Sequence, residues 1–459
     1  MKVFFSVVIL SICFLAKAQS YRISFDWRGL EDQSVMVGYH SFGKKYSLDT
    51  LAFNGKGKAV LEGSGVLLQG IYFLYTPTYY FEFVVKEQDF SLSGSCDQGY
   101  EHLKIKGSPE NEVFRAFQLG MAGHQRERLT LLEQLKTANK TDSVAIQSKL
   151  NEIQVRVSTF QDSLIAAHPA RLVSAMVSMI KGVSIPDELG LDVSERSNYV
   201  HEHYFDMVES PYALMRTPVF KGYVARYFER VVPPIPDSLI LEIDQWLDWC
   251  RSDESTFDLW LQYFLEEYQE TEIMGFDQVW IHLIERYCLT GEAHWLPEKT
   301  LRLLAEEVQF IKPNLIGNKA PDFQALDTLM RPHRLNQFHN KYLVLFFYDP
   351  DCGHCKKKVP LLNQNHEQIK ALGGEIVGVC TTTNVDRWKE FIHEKELHWI
   401  HLADPYGRSD FRVNYNTRTT PQLYVLDAQQ KIIAKKLDPE EQLINFLERY
   451  EQRIQLPRN

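Results

Sequence analysis

From Tyr21 to about Lys106 apolar and polar positions alternate, which is the period of a half-buried strand. The runs are Tyr21 to Phe25, Ser34 to Tyr39, Val66-Leu67-Leu68, Gly70 to Tyr75 and Tyr80 to Val85, with Gly, Asn and Asp between them. Short strands so punctuated predict a small antiparallel, sandwich-like β module over residues 19–108. After Pro109 the period lengthens: Val113, Phe114, Phe117 and Met121 fall three or four apart and share one helical face. Helices are expected at Tyr223 to Val232, Ser238 to Arg251, Phe257 to Tyr268, Phe276 to Cys288 and Glu298 to Ile311. Asp237, Ser255 and Pro297 stand at helix starts, and Pro233, Pro234 and Pro236 interrupt the chain. Residues 109–312 thus read as an all-helical domain, with Trp246, Trp249, Trp260, Trp280 and Trp295 as core side chains.

Beyond Leu315 the pattern changes again. Tyr342 to Tyr348 is an unbroken apolar run, suited to a strand buried on both faces. A helix from about Cys355 to Leu372, a strand from Glu375 to Cys380 and a helix from Val385 to Leu397 follow. Gln422 to Leu426 and Lys431 to Lys435 form a strand pair around Asp427-Ala428-Gln429, and Glu440 to Tyr450 is a closing helix. Strand and helix alternate, so residues 313–459 are expected to be an α/β domain with a central sheet. The fold class is multidomain α+β, and a length of 459 residues fits about three domains.

The first eighteen residues are set apart. Lys2, the apolar stretch Val3 to Leu15 and Ala16-Lys17-Ala18 make a signal peptide over residues 1–18, with maturation at Gln19 and export to the periplasm or cell envelope. The stretch is shorter than the roughly 18 residues a membrane span needs. Its removal takes two of the 50 basic residues and none of the 60 acidic ones, making a chain of net charge -10 more acidic still. Such a chain has no general attraction for nucleic acid. Six cysteines remain after cleavage, in a compartment where disulfides persist. Cys250 and Cys288 lie near helix ends and form either a structural disulfide or two buried thiols. His40 and Cys96 stand alone in the β module and read as surface or core filler.

Cys352-Gly353-His354-Cys355 lies between a buried strand and a helix. In a C-x-x-C at a helix N-terminus the first sulfur sits over free amide N–H groups and the positive end of the helix dipole, which stabilise its thiolate. The second sulfur lies one turn in, within reach of the first. His354, when protonated, adds to the stabilisation. A zinc site would need a second ligand pair, and no other C-x-x-C occurs. A Cys-His-Asp hydrolase does not need a second cysteine at this spacing. Pro360 falls inside the expected helix, and Thr420-Pro421 precedes a strand, where a cis proline would mark a specified turn.

With these motifs the C-terminal third resembles the thioredoxin superfamily, and within it the exported thiol–disulfide reductases of the TlpA and ResA type. Ala320-Pro321-Asp322-Phe323 is similar to the start of their extra N-terminal hairpin. Upstream, Arg216-Thr217-Pro218, Met274-Gly275-Phe276-Asp277 and His294-Trp295 resemble the uncharacterised helical domain that precedes such domains in Bacteroidota proteins, and the β module resembles the one found before it. The resemblance implies that Cys352 attacks a substrate disulfide and Cys355 resolves the mixed disulfide. It further implies that Pro421, if cis, faces the pair, and that the Thr420 backbone holds the substrate chain. Gly353, His354 and Asp351 would support the site. No cofactor is implied beyond the redox-active Cys352–Cys355 pair. The partners would be protein thiols or disulfides and a membrane-linked or soluble electron donor.

Two positions depart from that pattern. Phe346 stands where thioredoxin has a buried Asp, and Lys358 where ResA-like proteins have a Glu. Asp349, Asp351, His354 or solvent would then handle the proton of the resolving thiol. A peroxiredoxin needs Thr or Ser three residues before its reactive cysteine; Asp349 stands there. Cys380, on an expected buried strand, reads as an inert core thiol. The reading is an exported thiol–disulfide oxidoreductase, most simply a reductase. The alternatives are an oxidase or isomerase, or an envelope binding or assembly protein in which the redox domain is accessory.

Overall fold

The computed structural model describes residues 20–455, so the signal-peptide expectation for residues 1–18 lies outside the described residues. The chain forms two compact units: residues up to Pro233 with Asp248–Thr256, and Pro234–Leu247 with everything from Phe257 onward.

The first unit opens with β1 (Ser20–Arg28), β2 (Ser34–Ser41), β3 (Lys44–Ala52), β4 (Lys58–Ser64), β5 (Gly70–Thr76), β6 (Tyr79–Val85), β7 (Asp89–Ser95) and β8 (Lys104–Lys106). They make two four-stranded sheets, β4-β1-β7-β8 and β3-β2-β5-β6. Ile23, Phe25, Trp27, Val37, Leu74 and Phe83 from both sheets share one core. Two features depart from the sequence expectation. First, β1 and β7 run parallel, from Arg22 opposite Asp89 to Arg28 opposite Ser95, so the module is not wholly antiparallel. The long excursion through β2 to β6 is the crossover that parallel pairing requires. Second, Val66 to Leu68 form no strand. Leu67 is buried, but its backbone is bonded by the Gln88 side chain, which accepts from its N–H at 2.8 Å and donates to its C=O at 3.1 Å. A side-chain amide here satisfies the groups that a neighbouring strand would otherwise satisfy.

The helices of this unit are α1 (Pro109–Leu135), α2 (Lys140–Ala167), α3 (Leu172–Lys181), α4 (Val193–His203), α5 (Pro211–Leu214) and α6 (Phe220–Arg230). Ser108 caps α1 by accepting from the Asn111 amide, and Val113 and Phe114 are buried on the expected face. Then come α7 (Pro236–Cys250), α8 (Glu254–Gln269), α9 (Asp277–Leu283), a π-helical turn at Ile284–Cys288, and α10 (Glu298–Ile311). Cys250 and Cys288 are both free, buried thiols whose pKa burial raises.

The second unit is completed by β9 (Gln324–Asp327), β10 (Pro332–Arg334), β11 (Tyr342–Tyr348), α11 (Gly353–Gln364), α12 (His366–Ala371), β12 (Gly374–Cys380), α13 (Val385–Glu394), β13 (Ile400–Ala403), α14 (Phe411–Asn414), β14 (Gln422–Asp427), β15 (Ile432–Lys435) and α15 (Gln442–Gln455). The seven strands form one sheet in the order β10-β9-β13-β12-β11-β14-β15. Central β11 pairs parallel with β12 and antiparallel with β14. Its residues alternate between two cores. Val344, Phe346 and Tyr348 face Val359, Trp388, Phe391 and Leu447, while Leu345 and Phe347 face Phe323, Phe411 and Tyr415. That two-sided burial is why the run carries no polar residue. The single helix expected from Cys355 to Leu372 is two, divided by a turn at Asn365, whose side-chain amide donates to the Pro439 carbonyl.

A buried lysine joins two parts of this unit. Lys435 on β15 is 4% exposed, and its Nζ donates to the carbonyl and the side-chain oxygen of Asn314 at 3.1 Å each. It also pairs with Asp277 at the start of α9.

Candidate active site

β11 ends at Tyr348, and Asp349-Pro350-Asp351 turns the chain into α11, so Cys352 occupies the N-cap. Its Sγ accepts from the Cys355 amide at 3.4 Å. The same sulfur donates to the Thr420 carbonyl at 3.1 Å. The Thr420–Pro421 peptide is cis and immediately precedes β14, the strand beside β11. Sheet pairing therefore brings residues about seventy positions apart to one sulfur.

The two thiols differ electrostatically. Partial burial of Cys352 acts to raise its pKa, but the hydrogen bonds from the Cys355 amide, the Thr420 side chain and the His354 amide outweigh it, and the pKa ends below the ordinary value. Cys355 is fully buried in the first turn, and burial pushes its thiol up to about 12. The Asp349 amide points at its sulfur at 3.5 Å. Because the thiolate is the nucleophile, iodoacetamide at neutral pH should alkylate Cys352 in the reduced folded chain and spare Cys355. Mass spectrometry across a pH series should place the Cys352 midpoint below that of an ordinary thiol.

The other expected site residues fall as follows. Gly353 and His354 are exposed at the head of α11. Asp351 is also exposed; its amide donates to Asp349 Oδ1 at 2.8 Å, and its carboxylate accepts from Arg387 Nε at 3.2 Å. A solvated pair of this kind adds little stability. Lys356 and Lys357 lie on the solvated helix face, but Lys358 turns inward and pairs with Asp438. Phe346, Lys358, Pro421 and Asp438 line one cavity of about 460 Å³. A carboxylate thus enters the neighbourhood from the turn after β15, and Lys358 holds its pKa down. The sequence reasoning missed Asp438, which lies eighty positions from Lys358 and carries no local motif. Cys380 is buried on β12, its thiol pushed up to about 12 by burial. Among the described residues no group of three or more His, Cys, Asp or Glu could hold a metal ion, and no helix is long and apolar enough to cross a membrane.

Comparison with known proteins finds two matched stretches. Residues 316–435 match the AhpC/TSA family, and residues 21–114 match a domain of unknown function, DUF4369. The thiol–disulfide oxidoreductase ResA of Bacillus thuringiensis is 26% identical over 136 residues, which is 29% of this chain and 78% of that protein. Peroxiredoxin-2 of Mus musculus is 31% identical over 96 residues, covering 20% of this chain and less than half of that protein (44%). Among solved structures, a domain of a possible thiol-disulfide isomerase from Cytophaga hutchinsonii is 34% identical, covers 30% of this chain and 95% of its own, and has a TM-score of 0.29. Residues 316–435 are thus an AhpC/TSA-family domain of thioredoxin-like fold, with thiol–disulfide oxidoreductases among its relatives, carried behind an N-terminal DUF4369 module.

Proposed function

We propose that this chain is an exported thiol–disulfide oxidoreductase that exchanges its Cys352–Cys355 pair with protein disulfides, working as a reductase. The oxidoreductase class rests on the family match and the ResA likeness. The observation that carries the reading is the position of Cys352: an N-cap sulfur of lowered pKa, partly accessible, with a buried thiol of raised pKa one turn behind.

In the reaction, the Cys352 thiolate attacks one sulfur of a substrate disulfide. That S–S bond breaks, the new Cys352–substrate bond forms, and the departing thiolate takes a proton. Cys355 then loses its proton and attacks the Cys352 sulfur, releasing the second substrate thiol and closing the Cys352–Cys355 disulfide. Two electrons have moved to the substrate, and a dithiol donor must return them. The Thr420 carbonyl meets the sulfur, and Thr420 with the cis Pro421 would hold the substrate chain; Asp351, Gly353 and His354 would shape the approach.

The peroxiredoxin likeness does not displace this reading. Asp349 occupies the position where that chemistry needs a hydroxyl, and the Cys355 thiol already interacts with the Cys352 sulfur. The deciding experiment is the reduction potential of the couple, measured by equilibration with glutathione and dithiothreitol buffers. A value near about -270 mV supports a reductase, and one between about -180 and -120 mV supports an isomerase or oxidase. Absence of a two-electron couple would overturn the oxidoreductase reading in favour of a binding or assembly role.

A further inference from the structure

The resolving step needs a proton acceptor. Burial pushes the Cys355 thiol up to about 12, so near neutral pH almost none of it is thiolate. The candidates around the first turns of α11 are Asp349, Asp351, His354 and Asp438. Asp351 and His354 are exposed, and Asp351 accepts from Arg387 at 3.2 Å. Asp438 is engaged by Lys358, which holds its pKa down and makes it the weaker base.

Asp349 is placed differently. It is half-buried, and its own amide points at the Cys355 sulfur at 3.5 Å. Uncharged donors orient its carboxylate: the Asp351 amide bonds Oδ1 at 2.8 Å, and the Thr381 hydroxyl bonds Oδ2 at 3.4 Å. Thr381 stands there because β12 runs parallel to β11 with Cys380 opposite Tyr348, and the Thr381 amide donates to the Tyr348 carbonyl at 2.9 Å. The buried Cys380 thiol reports where the charge lies. Burial raises its pKa most, and Asp349 and Cys355 both raise it further while Arg412 opposes them. Asp349 and Cys355 therefore approach the same buried sulfur at the end of β12.

We propose that Asp349 is the proton acceptor of the resolving step. The proposal rests on the exchange reading of Cys352 and supplies the group that reading lacks. The Cys355 S–H proton passes to the Asp349 carboxylate, directly or across one water, as the Cys355 sulfur attacks Cys352 Sγ. The Cys352–Cys355 bond forms while the bond from Cys352 to the substrate sulfur breaks. The Asp349 carboxylic acid then gives its proton to the departing thiolate or to water, and no further oxidant or reductant enters.

The test is stopped-flow absorbance of the reduced full chain mixed with Ellman's reagent, an aromatic disulfide whose thiolate is coloured. Attack by Cys352 releases one thiolate at a rate proportional to reagent. Attack by Cys355 releases the next at a rate independent of reagent. Asp349→Asn keeps an oxygen for the Asp351 amide and should slow the second release about a hundredfold, with the first release slowed far less. In that variant hydroxide must take the proton, so the second release should climb about tenfold per pH unit, more steeply than in the unaltered chain. Asp349→Glu should restore the rate to within about tenfold. An unchanged second release in Asp349→Asn overturns the proposal. Equal slowing of both releases, which marks damage to the turn, also overturns it, as does a Glu variant no faster than the Asn one. Slowing by Asp438→Asn in place of Asp349→Asn moves the role to Asp438 and likewise overturns it. An unaltered chain with no reagent-independent second release instead overturns the exchange reading on which the proposal stands.

Discussion

Cys352→Ser is expected to bring disulfide exchange down to the uncatalysed rate, whereas Cys355→Ser should complete the first half-reaction and stop. The asymmetry follows from the two environments. At Cys352 the helix-end amides and the Thr420 side chain outweigh burial and favour the anion, so this sulfur is the nucleophile at neutral pH. A serine hydroxyl there titrates far above any working pH, and amide stabilisation cannot recover that difference. Cys355 is buried with a thiol pushed up to about 12, so it ionises only when the mixed disulfide draws it into attack. Without it the mixed disulfide cannot be resolved from within the protein. Mass spectrometry after mixing with insulin should show a covalent adduct on Cys355→Ser and none on Cys352→Ser. Turnover retained by Cys352→Ser would end the proposed mechanism.

The second large effect is on stability. Lys435→Met should destabilise the second unit by about 3–5 kcal/mol, because removing one member of a buried ion pair strands its partner. The stranded groups are specific. Asp277 loses its cation while its Oδ1 is buried without a hydrogen-bond partner, and Asn314 loses the donor to both its oxygens. Burial lowers the Lys435 pKa, and the neighbouring Asp277 opposes that fall. Lys435→Met with Asp277→Leu should recover much of the loss, since an apolar pair of similar volume carries no desolvation cost. Calorimetric transitions of the single and double variants measure this, and equal transitions for Lys435→Met and the unaltered chain would show that the pair contributes nothing.

Lys435 also illustrates where sequence reasoning stops. In Lys431 to Lys435 it looks like the polar end of a strand, and nothing nearby indicates that its charge is met by Asp277 and Asn314, more than a hundred positions earlier. The polar strand β3 was illegible for a related reason. β3 has only Leu51 buried, so the apolar alternation that betrays a strand is absent, and its pairing with β2 makes it a strand.

By itself the sequence determined the elements whose burial is complete or whose periodicity is clean. β11 and α10 run over the residues their patterns predict, and the CGHC motif lies between a buried strand and a helix start, as a thiolate at an N-cap demands. These are local properties: the apolar period and the capping position are written in consecutive residues. Tertiary structure alone decided which distant groups meet. Thr420 reaches the Cys352 sulfur because β14 pairs with β11, Asp438 faces Lys358 because the turn after β15 returns to α11, and Arg418 reaches Glu307 because α10 packs within the same unit. Each contact is short range in space and long range along the chain, so it leaves no trace in the spacing of neighbouring residues.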